Sequence, residues 1–358
     1  MLPITDRLRV HSHQPGHEAL IPGTHWKIQA FPAALQVTYC LTQETRWFFW
    51  HITGPVSPFT IEQDVDALAL RIYGTAKQGY FRFVLKKVGK ELVLIAEKTP
   101  PEGIFWSTTP QGERHLISSQ QSIVLAKALV MPSLSKERLF LGSSKQKEWE
   151  GIYTRRDLAA LLPLWFALGQ VTPVNLLKEE GRTVDLLRTL EEQCLSQSRL
   201  AIHDTLHRLC FAGFSGGLVP RGEDDTFQGL VPPSVEMRSC PLSLLTQGAK
   251  IVRSLFFQEN ETEYHILPCL LPGFTCGRMF FITTKQGDQI AFSWSKGRIR
   301  QVALLAQYEG GERLCHFPKG TRSYRVRQSR QDSGKVHQVQ DTLVLPKAKW
   351  LWLDRFTE

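Results

Sequence analysis

The sequence predicts an α+β chain of several domains: an N-terminal β-sandwich, a short helical middle layer and a C-terminal antiparallel β-sandwich. Three observations carry this reading. Up to about residue 130, short apolar runs alternate in period two between Gly- and Pro-rich turns. Around Ser133 the apolar period lengthens to that of a helix, and from Glu263 it returns to two. The chain of 358 residues exceeds one ordinary core. Period divides it into a β-domain at 1–132, a helical region at 133–262 with a long loop at 213–241, and a β-domain at 263–358.

Six N-terminal runs, at 34–41, 46–52, 67–73, 80–85, 91–96 and 122–126, are rich in β-branched and aromatic side chains. Turn material such as Thr53-Gly54-Pro55 separates them. Side chains alternate across a strand, so Trp47 and Trp50 face opposite ways. Buried, such a ring packs in a core; exposed, it offers a flat apolar surface to the C–H edges of a sugar ring. Both are therefore candidate substrate-binding residues. His11, His13 and His17 precede these runs and read as a flexible terminal segment rather than as metal ligands.

Helices are expected at 143–150, 157–168, 184–195, 199–212 and 242–258. Thr154 lies three residues before Asp157, the spacing of a helix cap, and Pro163 is expected to kink or break the helix that follows because it cannot donate a hydrogen bond. His203 and His207 share a helical face in a zincin-like spacing. The neighbouring Leu200, Leu206 and Leu209 make a core-facing helix the better reading. In the long loop, Glu223, Asp224 and Asp225 stand in a row. Adjacent carboxylates raise one another's pKa, which is how a carboxyl group keeps a proton for general acid work, so the three are candidate catalytic residues beside the plainer reading of a solvated turn. The strands expected in the last domain lie at 289–294, 299–306, 313–317, 323–327 and 341–345.

Composition excludes some classes of function. An apolar content of 42% with 22% charged residues is that of a globular chain, and no apolar run approaches the ~18 residues of a membrane span. Seven scattered cysteines without a C-x-x-C pair argue against a zinc ribbon or a disulfide scaffold and suit a reducing, cytoplasmic setting. No Walker loop, G-x-G-x-x-G turn or G-x-S-x-G elbow is present, so no cofactor and no metal are expected. The net charge of +9 is densest between Lys319 and Lys335, a strip that would suit an acidic protein partner; nucleic acid is not expected as a partner.

One stretch points to a family. His265-Ile266-Leu267-Pro268-Cys269-Leu270-Leu271-Pro272 is followed by Cys276-Gly277-Arg278 and then by Ile290-Ala291-Phe292-Ser293-Trp294 with Gly297. Upstream stand Gly217-Leu218-Val219-Pro220 and the pair Phe227-Gln228. This arrangement over residues 214–310 resembles the end of the (α/α)-barrel glycoside hydrolases of the inverting α-L-fucosidase type. The resemblance implies a glycan or oligosaccharide as ligand, with Phe227 and Gln228 on the loop that reaches the active site. Where the family continues into a segment bearing its catalytic base region, this chain runs on as Gly229-Leu230-Val231-Pro232-Pro233 without an acid, and its helices are fewer than a full barrel needs. Inverting hydrolysis requires two carboxyl groups about 6.5–9.5 Å apart. Recognition of a glycan is therefore expected ahead of catalysis. The alternatives are an active inverting hydrolase using a carboxyl from Glu223–Asp225 and an interaction scaffold with a basic surface.

Overall fold

The computed structural model describes residues 8–128, 137–142, 147–173, 182–220, 242–307, 311–329 and 331–357. The N-terminal strands are β1 (Arg9–Ser12), β2 (Glu18–Leu20), β3 (Trp26–Phe31), β4 (Ala34–Tyr39), β5 (Thr45–His51) and β6 (Thr60–Asp64). Next come β7 (Ala69–Ala76), β8 (Gly79–Val88), β9 (Glu91–Lys98), β10 (Ile104–Ser107), β11 (His115–Ile117) and β12 (Ser122–Lys127). Strands β13 (Arg138–Phe140) and β14 (Lys147–Glu148) lead to helices α1 (Trp149–Arg155), α2 (Leu158–Val171), α3 (Arg182–Leu195) and α4 (Arg199–Ala212). The hairpin of β15 (Phe214–Ser215) and β16 (Val219–Pro220) precedes α5 (Ser243–Phe256). The remaining strands are β17 (Phe257–Glu259), β18 (Glu263–Ile266), β19 (Gly277–Thr283), β20 (Gln289–Ser295) and β21 (Arg298–Leu305), followed by β22 (Gly311–His316), β23 (Ser323–Arg327), β24 (Lys335–Gln338), β25 (Leu343–Leu345) and β26 (Trp350–Thr357). The protein is thus a mixed α+β chain of several sheets, and it divides into two compact units. One comprises Met1–Leu134, Ser144–Leu187 and His207–Gln247; the other comprises Ser135–Ser143, Arg188–Leu206 and Gly248–Glu358.

In the first unit, two sheets are ordered β12-β9-β8-β7-β6-β1-β14 and β11-β10-β5-β4-β3-β2. Alternation explains how they pack. In β3, Trp26, Ile28 and Ala30 are buried, while Lys27, Gln29 and Phe31 are only half-buried. The inward residues of both sheets form one cluster that includes Ile28, Val37, Phe48 and Trp50 from one sheet and Ile61, Leu70, Phe83 and Leu94 from the other. That shared core makes a β-sandwich.

The segment carrying His11 is built into this sandwich as β1. Strand β1 pairs antiparallel with β6 and parallel with β14, and Val10 is fully buried. Arg9 reaches Asp64 at 2.8 Å, and Arg71 bonds both Glu62 and Asp64 at 2.8 and 2.9 Å. These ion pairs satisfy two carboxylates that β6 buries, which an unpaired charge could not survive.

The helix expected at 143–150 is corrected where it is described. Lys147 and Glu148 form a strand against β1, and the helix starts only at Trp149. In α2 the Asp157 side chain caps the helix by accepting a hydrogen bond from the Ala160 N–H at 3.0 Å. Pro163 neither breaks nor ends this helix, which continues to Val171. Nearly every residue of α2 is buried, and packing on all sides outweighs the one hydrogen bond that proline removes. Of the loop expected from 213, the described start is the β15–β16 hairpin, turned at Gly217 with φ +56°. A Cβ at Gly217 would lie 2.5 Å from the Ala19 backbone, so only glycine fits.

The second unit holds a sheet ordered β13-β19-β20-β21-β26-β23-β24 and a smaller one ordered β17-β18-β22-β25. Among the described residues its ladders are antiparallel except that of β18 and β22, which is parallel, as is the isolated bridge between Ala306 and Lys347, so this domain departs from the all-antiparallel expectation. The helix expected to reach residue 258 stops at Phe256, and Phe257–Glu259 turns into strand against β18.

Candidate functional site

The outward side of β3, β4 and β5 carries an aromatic run. Register places Phe31 opposite Ala34, Ala34 opposite Phe49, and Gln29 opposite Gln36, which in turn faces Trp47. All of these side chains therefore share one face of the sheet. The Trp47 ring lies 6.3 Å from Phe31 and 5.9 Å from Phe49 between centroids, with ring planes 23° and 13° apart. Trp47 is 38% exposed. Phe31, Phe49, Gln29 and Gln36 are half-buried, and the side-chain amides of the two glutamines make no hydrogen bond among the described residues. At the far end of the face, His51 Nε2 stands 2.9 Å from Ser107 Oγ, which donates to the Thr109 carbonyl at 2.6 Å.

Trp50, offered by the sequence as a second sugar-binding ring, is corrected. Three positions beyond Trp47 on a two-residue period it points inward, is 4% exposed and stacks on Phe83 at 4.6 Å. Burial of that ring serves the sandwich and leaves no face for a ligand. Glu223, Asp224, Asp225, Phe227 and Gln228 lie outside the described residues. Phe31, Phe49, Gln29 and Gln36 were missed by sequence reasoning. The signal available was their alternation with Trp26, Ile28, Leu35 and Val37, which becomes informative only once the pairing of the three strands is fixed.

A second concavity in the same unit, about 460 Å³, is lined in part by His17, Trp149, Glu150, Tyr153, Phe214 and Ser215. Its polar groups are largely committed. Ser12 Oγ donates to Glu150, Ser215 Oγ donates to Glu18 Oε2 at 2.6 Å, Lys27 pairs with Glu18 Oε1 at 2.8 Å, and Tyr153 Oη donates to the Ser215 carbonyl at 2.5 Å. Burial holds the His17 imidazole below its usual range, against the pull of Glu150 and Glu18. Carboxylates committed to such bonds anchor the hairpin.

Among the described residues, two groups bring three metal-ligating side chains together: His11, His13 and Glu148, and Glu263, His265 and His316. His203 and His207 belong to neither. In the first group His13 Nδ1 is already engaged with the Phe59 carbonyl at 3.2 Å and Thr60 Oγ1 at 3.0 Å, while His11 Nε2 lies 3.5 Å from Glu148.

The basic strip is less open than its sequence suggests. Arg325 forks onto Asp354 with bonds of 2.8 and 3.0 Å, and Arg327 shares the same carboxylate. Arg330 lies outside the described residues.

Of the residues that carried the family resemblance, Gly217–Pro220 belong to the first unit, and Leu267, Cys269, Gly277 and Trp294 pack within the second. Trp294 is 2% exposed, stacks on Phe256 at 5.5 Å and donates from Nε1 to the Phe274 carbonyl at 2.9 Å. A Cβ at Gly277 would meet the Trp294 ring at 2.3 Å, so glycine is needed for that close approach. The Leu267 N–H donates to the Phe256 carbonyl and the Cys269 N–H to the Leu255 carbonyl, closing the end of α5. None of the described helices is long and apolar enough to cross a membrane. Comparison with protein-family models and with curated protein sequences finds no match for this chain.

Proposed function

We propose that the protein binds a glycan on the outer face of β3, β4 and β5. The observation that carries this reading is the run Phe31–Trp47–Phe49, exposed at Trp47, with near-parallel ring planes and the free amides of Gln29 and Gln36 beside it. Sugars present an apolar C–H face and a rim of hydroxyl groups. An aromatic surface removes the first from water, and amide groups, with one acceptor and two donors each, match the second. The rings alone suit any flat apolar ligand; the flanking amides favour a polyhydroxylated one.

Recognition stands ahead of hydrolysis because β3, β4 and β5 place no acid on this face, and the one beside it, Glu18 opposite Gln29 on β2, is already bonded to Lys27 and Ser215. An inverting hydrolase would draw its carboxyl from Glu223–Asp225, a segment to which the aromatic face lends no support. A scaffold reading through Lys319–Lys335 is weakened by the two arginines already spent on Asp354. The six described cysteines carry no disulfide, which suits the reducing cytoplasm as the place where binding occurs.

The test is an oligosaccharide array probed with the full-length protein and with Trp47→Ala. The reading predicts a set of bound glycans that Trp47→Ala loses while its far-ultraviolet circular dichroism stays native. An array with no bound glycan, or one on which Trp47→Ala binds as the native protein does, removes the proposal.

A further inference from the structure

The geometry points to a divalent transition-metal site formed by Glu263, His265 and His316 on the smaller sheet of the second unit. It arises from the one parallel ladder there. Strands β18 and β22 pair with Glu263 opposite Leu314 and His265 opposite His316. Side chains two apart on a strand share a face, so Glu263 joins the two histidines on one side of the sheet. The two imidazoles stack at 4.3 Å between centroids with planes 14° apart. Both Nε2 atoms approach the same oxygen: Glu263 Oε2 stands 3.4 Å from His265 and 3.6 Å from His316.

Three features distinguish this group from an ordinary surface ion pair. The first is spacing. Ligand atoms around tetrahedral zinc, with bonds of about 2.0–2.1 Å, lie about 3.3 Å from one another. Both histidine nitrogens stand close to that distance from the carboxylate oxygen before any metal is present. Coordination requires the stacked rings to fan apart about Cβ–Cγ, a broad torsion that turns at little cost.

The second is an unmet polar atom. His316 Nε2 is shielded from solvent and makes no hydrogen bond. Such an atom loses its hydration without replacement, and a metal ion would supply the missing partner. The third is outer support. Asn260 donates from Nδ2 to Glu263 Oε2 at 2.9 Å, while its Oδ1 accepts the backbone N–H groups of Thr262 and Glu263 at 3.0 and 2.7 Å. A carboxylate held by a clamped amide is the arrangement that orients metal ligands.

Two imidazoles and one carboxylate select zinc, cobalt or nickel over magnesium and calcium, which prefer all-oxygen sets. Three protein ligands leave a coordination position for water.

Full-length protein, stripped with a chelator, is titrated calorimetrically with Zn²⁺ and separately with Mg²⁺. One zinc equivalent is expected to weaken at least tenfold in His316→Gln and in His265→Gln, whereas His13→Gln, in the other histidine group, leaves that equivalent in place. Identical zinc isotherms for native, His316→Gln and His265→Gln proteins would overturn the inference, as would equal affinity for Mg²⁺. A second readout needs no variant: ¹⁵N-histidine spectra of the native protein are expected to show the His265 and His316 ring nitrogens shifting on zinc addition. Rings that stay unmoved would contradict the site even if a variant failed to fold.

Discussion

Two aromatic groups in this protein share a ring spacing and differ in their surroundings. Phe31, Trp47 and Phe49 sit 5.9–6.3 Å apart on an open sheet face, and Phe256, Phe274 and Trp294 sit within 5.5–5.8 Å in a closed one. Trp294 is 2% exposed and its indole N–H is satisfied by a carbonyl; Trp47 is 38% exposed with glutamine amides alongside that hold no partner among the described residues. Stacking by itself therefore says nothing about function. Whether a ring has water on one side and unspent hydrogen-bonding groups beside it decides between packing and binding. Of the residues that carried the family resemblance, Trp294 belongs to the closed group and Gly277 packs against its ring.

The largest effect that sharpens this contrast is expected from Trp294→Ala. Removing a fully buried indole and its hydrogen bond costs about 3–5 kcal/mol, read as a fall in the urea midpoint. Trp47→Ala, by contrast, is expected to cost under about 1 kcal/mol by the same measurement, since a surface substitution away from the core seldom costs more. Equal losses for the two would contradict the difference between the open and the closed group.

Next in size is a polar network in the same unit as the second group. Tyr264 Oη donates to Asp288 Oδ2 at 2.5 Å, and Arg313 Nη2 lies 3.2 Å from the same oxygen. Arg313→Met leaves Asp288, 3% exposed, without its cation. A loss of about 3 kcal/mol in denaturant unfolding is expected.

A smaller, graded effect belongs to pH. Burial pushes the Cys315 thiol up to about 12 from an ordinary 9, and burial followed by the Asp288 hydrogen bond pushes the Tyr264 phenol up to about 12 from 10. Both groups ionise earlier when unfolded, so the unfolded chain binds fewer protons than the native one above pH 9. Stability is then full below pH 9 and declines as pH rises toward about 12. Thermal scans across that range are expected to show the decline, with a shallower slope in Cys315→Ala. The least effect is expected from Gln36→Ala, whose loss of one hydrogen bond to a ligand corresponds to about 1 kcal/mol of glycan affinity with no change in stability.

Much of the sheet framework was legible from period. Strands expected at 34–41, 46–52 and 289–294 appear as β4, β5 and β20, and the opposite facing of Trp47 and Trp50 followed from alternation alone. What local pattern could not give was pairing between distant segments. His11-Ser12-His13 looked loose because its partners are β6 and, far along the chain, β14. His265 and His316 meet only through a parallel register, which leaves no turn signal in sequence. Pro163 misled for a different reason: the rule describes an isolated helix, and α2 is enclosed by its surroundings.

Glycan binding on this face uses the glutamine amides as much as the rings. The most direct measurement is a ¹⁵N spectrum of the full-length protein, following the side-chain amide resonances of Gln29 and Gln36 as a pooled set of soluble hexose, deoxyhexose and N-acetylhexosamine oligosaccharides is added. Binding at this face predicts that both amides and the Trp47 indole N–H shift together and saturate. Resonances of Gln29, Gln36 and Trp47 that remain fixed across the whole titration would contradict it.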